Sequence, residues 1–357
     1  MTNDVKNVLL RLNIDGIGVV NYDSNDQKWI MNQVKNSEFN KHNNVSYAKK
    51  NFYRDEEDSL SYKLKISSDC IRNAIFAQDM IAQSPNISHN DMVLNSFIGD
   101  PNSMIRGYMF AEKGKSALKR KSALTICDAE QTCNAQSYIE TFARSGEKTT
   151  DENKADNTFF KKETVGEIKY GSIGSIDLQE LQFVSCDLVF DRYAFNADQF
   201  NKFKAFLGTK MPNFVSELGY FQLKDSMIQI PEHGFKFSDE NVVFMVKMII
   251  EKLLNINIKR KNAFAKTGSI EIKLVTDPLV DTYENEDGWQ KISSQEDVDK
   301  LDFSIKSSYE EVDLDEALSL RTGIEEKLES LKAEGKAKAK EEKAARSKAK
   351  KQAETTK

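Results

Sequence analysis

The run from Ser238 to Leu254 constrains the fold most. Val242, Val243, Met245, Val246, Ile249, Ile250, Leu253 and Leu254 fall on one side of a helix with 3.6 residues per turn, a wide apolar face. Ser238-Asp239-Glu240 supplies the cap and the acidic first turn that start such a helix. A face that wide is a core face, and the strands that could lie under it are legible. Val8, Leu10, Leu12 and Ile14 alternate with Leu9, Arg11, Asn13 and Asp15, the period of a half-buried strand. Ile270, Ile272 and Leu274 alternate with Glu271 and Lys273 in the same way.

A second helix is predicted from about Ser68 to Ser84, entered from the short strand Lys63-Leu64-Lys65-Ile66. Ser67 or Ser68 is its N-cap, Asp69 suits the positive end of its dipole, and Ile71, Ala74 and Ile75 form its apolar stripe. Arg72 and Asn73 fall off that stripe. A helix start with open N–H groups beside lysines and an arginine is a phosphate seat, or else an ordinary capped core helix. Further strands are read at Ala123–Cys127 and across Ile176–Phe190. The strong elements thus run β-α-β-β-α-β. That order is an α+β, ferredoxin-like or RRM-like plan, an antiparallel sheet with helices on one face. The intervals between elements are long, so residues 1–320 read as this core with insertions.

Two insertions stand out. Residues 23–62 are rich in Asn, Lys and aromatics, including Trp29, Tyr47, Phe52 and Tyr53. They form a finger-like excursion that either stacks on bases or packs as a small lobe. Residues 128–176 hold a polar loop between β-prone flanks, read as a protruding thumb hairpin. Within it Phe159 and Phe160 stand beside Lys161 and Lys162. Rings and ammonium groups in that order wedge and neutralise a nucleic-acid backbone, or anchor the hairpin base. Residues 321–357 are Lys, Ala and Glu without an apolar face, a solvated helical or disordered tail.

Charge and composition exclude several functions. The formal net charge is −5, yet cations cluster at Lys113–Lys121, Lys161–Lys162 and Lys259–Lys261, and local charge outweighs the total once salt screens the rest. Four cysteines lack zinc spacing, and the three histidines form no metal or triad pattern. Gly114-Lys115-Ser116 lacks the preceding glycine of a P-loop. No cofactor and no metal are expected. No apolar run is long enough to span a bilayer, and no signal segment follows Met1, which points to a cytoplasmic chain with no membrane partner.

One resemblance joins these pieces. Lys65-Ile66-Ser67-Ser68-Asp69-Cys70-Ile71-Arg72-Asn73-Ala74-Ile75 resembles the helix start of the CRISPR Cascade backbone subunits of the RAMP superfamily. The strand ending at Asp15-Gly16, Arg106-Gly107-Tyr108, and Arg120-Lys121-Ser122-Ala123-Leu124-Thr125 follow in that family's order. Ser145-Gly146-Glu147-Lys148 and Glu163-Thr164-Val165-Gly166 look closest to the subtype I-F variant and type IV-like members. Asp69 and Asn73 depart from the family pattern of Gln and a second basic residue.

The resemblance implies a non-catalytic subunit that binds CRISPR RNA. Copies of it would line up along the guide beside other Cascade subunits and present it for pairing with target DNA. Carried onto this sequence, the RNA-binding candidates are Arg11, Lys65, Ser67, Ser68, Arg72, Asn73, Arg106, Lys119, Arg120, Lys121, Arg144, Lys148, Phe159, Phe160, Lys161 and Lys162. The competing reading is a metal-dependent ribonuclease of the type III backbone kind, using the acidic loop Asp55–Asp58. A third is a scaffold that touches no nucleic acid.

Overall fold

The computed structural model describes residues 4–23, 45–76, 101–110, 117–145, 157–187, 193–195, 200, 218–224, 230–277 and 279–323. The second helix beyond Phe76, Gly114-Lys115-Ser116, Lys148 and the tail beyond 323 lie outside them.

The strands and helices follow in chain order. The first half holds β1 (Asn7–Ile17), β2 (Tyr22–Asp23), β3 (Val45–Ala48), β4 (Lys50–Arg54), β5 (Leu60–Ile66), α1 (Ser68–Phe76), α2 (Pro101–Arg106), β6 (Tyr108–Phe110), β7 (Leu118–Arg120), β8 (Leu124–Ile126) and β9 (Ala129–Gln131). The second half holds β10 (Ser137–Ser145), β11 (Asn157–Val165), β12 (Glu167–Asp177), α3 (Leu178–Gln182), β13 (Phe183–Ser185), β14 (Gly219–Leu223), β15 (Glu232–Lys236), α4 (Asp239–Leu254), β16 (Asn257–Arg260), β17 (Ala263–Val275), β18 (Gln290–Ile292), α5 (Gln295–Asp299) and β19 (Tyr309–Val312).

The main sheet runs β16-β17-β1-β12-β9-β5-β4, with β18 also on β17 and β8 also on β12. Its pairings are antiparallel. β1 lies inside it, and the alternation read from sequence is observed from Leu10 onward, Leu9 being buried as well. Val8, Leu10, Leu12 and Ile14 are buried, while Arg11 is half-buried and Asn13 exposed. Their partners Ile176, Ile270, Ile272 and Tyr170 complete the buried face.

Against that face lies α4, capped by the Ser238 side chain, which accepts from the Asn241 N–H. Val242, Met245, Val246, Ile249, Ile250 and Leu253 are buried, each worth about 2 kcal/mol of transfer from water. α4 also packs on α1, α2, α3 and β17, so the helices form one layer and the other sheet face is left open.

The extended region read at Ile176–Phe190 is divided instead. β12 ends at Asp177, whose carboxylate accepts from the Glu180 N–H and starts the short helix α3. β13 then turns into a separate sheet, β13-β15-β14-β19. The long core strand lies earlier, at Glu167–Asp177, in a stretch read as part of the thumb. Gly171 and Gly174 within it disguise the period. A Cβ at Gly174 would sit 2.5 Å from the Thr125 carbonyl oxygen, so β8 and β12 approach this closely only over a glycine.

The hairpin β10–β11 belongs to a third sheet, β10-β11-β3-β2. Its base is fixed by a charge pair with both side chains fully buried, Lys50 with Glu163. Glu163 also accepts from the Ala48 N–H (2.8 Å) and the Ser137 hydroxyl (2.6 Å), so the buried carboxylate is well satisfied. The stretch from Asp313, whose sequence reads as a helix, is helical at 314–323, and Arg321, also read as the first residue of the tail, ties it to the core. The Arg321 side chain forms an ion pair with Asp187 and donates to the Pro231 carbonyl.

Candidate nucleic-acid interface

The open face of the main sheet, the β4–β5 hairpin and the base of β10–β11 enclose a cleft of about 1650 Å³. Its floor is Arg11, Leu12 and Asn13 of β1, Gly171, Ser172 and Ile173 of β12, and Glu271 of β17. Around it stand Tyr53, Tyr62, Lys63 and Leu64, the segment Gln131–Tyr138, and Thr141 and Lys161. The Leu64 N–H donates to the Gln131 side chain (3.2 Å), and the hydroxyls of Tyr62 and Ser137 lie 3.4 Å apart. Tyr138 is 56% exposed, Tyr53 44% and Ile173 45%. Exposed rings and amides in a groove are the side chains that stack on and hydrogen-bond to unpaired bases. The charges are mixed: Arg11, Lys63 and Lys161 face Asp128, Glu130 and Glu271.

Of the candidates named from sequence, Arg11 and Lys161 line this cleft. Arg11 is already engaged. Its guanidinium makes a bidentate pair with Glu286 (2.7 Å to each oxygen) and donates to the Tyr283 carbonyl (2.6 Å). It also lies 4.1 Å from the centre of the Trp289 ring. The same acidic loop, 279–289, covers Lys273, which donates to the carbonyls of Thr282 and Asn285. This loop therefore closes one end of the open face.

The amino end of α1 is a correction. It is not an open phosphate seat, because Asp128 fills it. One Asp128 oxygen accepts from the Ser68 N–H (2.8 Å) and the other from the Lys65 ammonium (2.8 Å). Burial alone would raise this carboxyl, but those hydrogen bonds outweigh it and hold it below the usual Asp range. Ser67 accepts from the Asn21 side chain. Thus the anion at this helix end comes from the same chain, at residue 128 between β8 and β9.

Arg72 does not project toward a partner either. It donates to the carbonyls of Leu124 (2.6 Å) and Arg106 (2.9 Å) and to the Ser122 hydroxyl (3.1 Å). Burial lowers its pKa, with the neighbouring Arg106 adding to the effect. Arg120 is deeper still, donating to Phe183 (2.5 Å), Glu180 and Met104 carbonyls. Both arginines staple chain segments of this molecule together.

The remaining candidates divide by position. Asn73 is exposed on α1, and Lys121 is exposed but paired with Glu180 (3.1 Å). Arg106 and Lys119 are half-buried near the Arg72 staple and on β7. On the hairpin, Phe160 stacks on its cross-strand partner Phe142, with ring centres 5.5 Å apart. Lys162 lies 5.3 Å from the Tyr22 ring. Arg144 and Phe159 fall on β10 and β11 opposite Thr158 and Ala143.

The acidic loop Asp55–Asp58 is the tip of the β4–β5 hairpin. Asp55 accepts from the Glu57 and Ser59 N–H groups and the Ser61 hydroxyl, and Asp58 pairs with Arg54. Its carboxylates hold the turn. Among the described residues no group of three or more His, Cys, Asp or Glu is arranged to hold a metal. Cys186 and His233 approach to 3.8 Å in the small sheet, but burial pushes the thiol up to about 12 and lowers the imidazole. That is a neutral thiol beside a neutral ring rather than an activated nucleophile.

A mixed α/β, strand-rich chain with an open, walled sheet face is the class these observations define. The family model described as "Type I-Fv CRISPR-associated protein Cas7fv-like" matches residues 4–277. The chain belongs to that family, a CRISPR Cascade backbone family of the subtype I-F variant kind. A search of curated proteins finds no match. Similar solved chains include the following two. One, titled "CRISPR RNA-guided surveillance complex", is 9% identical with a TM-score of 0.36, covering 74% of this chain and 68% of that one. The other, titled "CRISPR RNA-guided surveillance complex, pre-nicking", is 8% identical with a TM-score of 0.36, covering 74% and 75%. Among the described residues no helix is long and apolar enough to cross a membrane.

Proposed function

We propose that this chain is a non-catalytic backbone subunit that binds CRISPR RNA in the cleft and oligomerises along it in a type I-like interference complex. The guide then pairs with target DNA while the protein reads backbone and stacked rings. Other Cascade subunits are its partners, and the cytoplasm is its compartment. Family membership supports the class. The observation that carries the site is the cleft itself, whose lining holds the exposed rings of Tyr53 and Tyr138 together with Asn13.

The sheet order supports an RRM-like palm. β17, β1 and β12 stand side by side, β8 and β9 follow on β12, and α1 and α4 enter as the two crossover helices. Numbered by their place in a β-α-β-β-α-β unit, those strands read 4-1-3-2. Residues 1–320 would form this palm. Of the insertion read at 128–176, the part between β9 and β12, with β10–β11 as its blade, is the thumb; the insertion read at 23–62 is the finger, and the tail read at 321–357 lies beyond Arg321. Arg11, Asn73, Arg106, Lys119, Lys121, Arg144, Lys148, Phe159, Phe160, Lys161 and Lys162 remain contact candidates.

Binding of single-stranded RNA of increasing length, followed by gel mobility and sedimentation at low salt, tests the reading. Tyr138→Ala with Lys161→Ala is expected to weaken binding about tenfold, since one stacked base is worth about 1–3 kcal/mol. Binding that does not depend on length, or RNA cut in magnesium and spared in Asp55→Ala, would reject it. The second outcome would favour the ribonuclease.

A further inference from the structure

The cleft does not end at Asn13. Along β1 the residues Arg11, Asn13, Asp15 and Ile17 share the open face. Their cross-strand partners share it too: Lys169 and Lys266 beside Asp15, then Glu167 and Phe264 beside Ile17. β16 adds Asn257 beside Lys266 and Lys259 beside Phe264. From Asn13 to Ile17 the strand advances about 13 Å at about 3.3 Å per residue. The face therefore runs from the acid-covered end, through the cleft, to a basic end.

At that basic end Ile17, Asn257, Lys259, Arg260, Lys261, Asn262, Ala263, Phe264 and Lys266 line a second hollow of about 450 Å³, with no carboxylate in its lining. Phe264 is 37% exposed and Ile17 41%. Among the described residues the ammonium groups of Lys169, Lys259, Lys261 and Lys266 join no ion pair or hydrogen bond. Asp15 and Glu167 are the acids nearby, and Asp15 leans over the bulge at Gly268, 2.4 Å from where a Cβ would stand.

The hairpin is held rigidly. Arg260 donates to the Val20 carbonyl, and Gly18, at φ +72°, lies under Asn262 and Ala263 where a Cβ would come within 2.8 Å. A pinned turn carrying unpaired cations and an exposed ring faces the solvent as a continuation of the groove.

We infer that the β16–β17 hairpin is a second contact for single-stranded RNA, its lysines on the phosphates and Phe264 under a base as the strand leaves the cleft. This rests on the cleft being the RNA site. A cationic track with an interposed aromatic ring is the chemistry of sequence-tolerant binding to a single strand. The acidic loop at the opposite end would repel the same strand, so the track has one attractive exit.

The test compares the full chain with Lys259→Ser/Lys261→Ser/Lys266→Ser, using labelled single-stranded RNA of about 6 and about 20 nucleotides, lengths that bracket one short binding site. For the longer RNA the triple variant is expected to bind about tenfold more weakly at low salt. Its salt slope should fall by about 2, since each lost phosphate contact removes about 0.7. The short RNA should be held as before. Arginine at the three positions should restore the slope, and Phe264→Ala should weaken the long RNA without changing it. An unchanged slope while Tyr138→Ala still weakens binding would overturn this inference and leave the cleft standing. A change in self-association alone would also overturn it, making the patch a protein contact. If neither RNA binds the unaltered chain, the cleft and the hairpin fall together.

Discussion

Two sets of cations divide this molecule. Lys50, Arg72, Arg120 and Lys273 point inward and are spent on its own carbonyls and carboxylates. Lys169, Lys259, Lys261 and Lys266 point outward and are exposed. Inward cations fix the relation between elements far apart in sequence, as Arg120 does between β7 and β13. Outward cations leave the fold indifferent and are available to an anionic partner. Cationic character in a sequence window says nothing about which set a residue joins, because the deciding acceptors lie far along the chain.

That contrast is testable in order of effect. Glu163→Ala strands the buried Lys50 charge and should cost about 3–5 kcal/mol, read from the urea midpoint, whereas replacing both partners by Met should recover most of it. Arg120→Ala leaves the Phe183 and Glu180 carbonyls without a donor and should cost about 3 kcal/mol. Arg72→Ala should lower stability by about 2 kcal/mol while leaving the salt slope of RNA binding untouched. A lowered slope in Arg72→Ala would break the division between the two sets.

Acid should act through Asp128. Its folded-state pKa is below the ordinary 3.8, so its contribution is complete above that value and is lost as pH falls through the lower folded-state value. Asp128→Asn should therefore flatten the acid limb of the stability curve below about pH 4. At the small end, Lys266→Ala should change stability by less than about 0.5 kcal/mol, as exposed positions do.

The sequence carried its periodic elements well. β1 and α4 were legible because their burial repeats every second residue in one and on a helical stripe in the other. The open face was half legible, since Arg11 and Asn13 share it by parity alone. β12 was missed because its buried Ser172 and Gly174 are not apolar markers. The filling of the α1 amino end was not legible at all, for Asp128 is sixty residues from Ser68. The segment Gln131–Tyr138, part of the cleft lining, has no period to read.

The acid loop over Arg11 and the bare lysines of the β16–β17 turn have one more consequence. Phosphate charge is the same read from either end of a nucleotide chain, so this gradient favours where a guide leaves the groove but is blind to its 5′-to-3′ sense. Directionality must come from groups that distinguish the two faces of a ribose, and on the proposed placement of the strand the amides of Asn13, Asn134 and Gln136 in the cleft lining would make that choice.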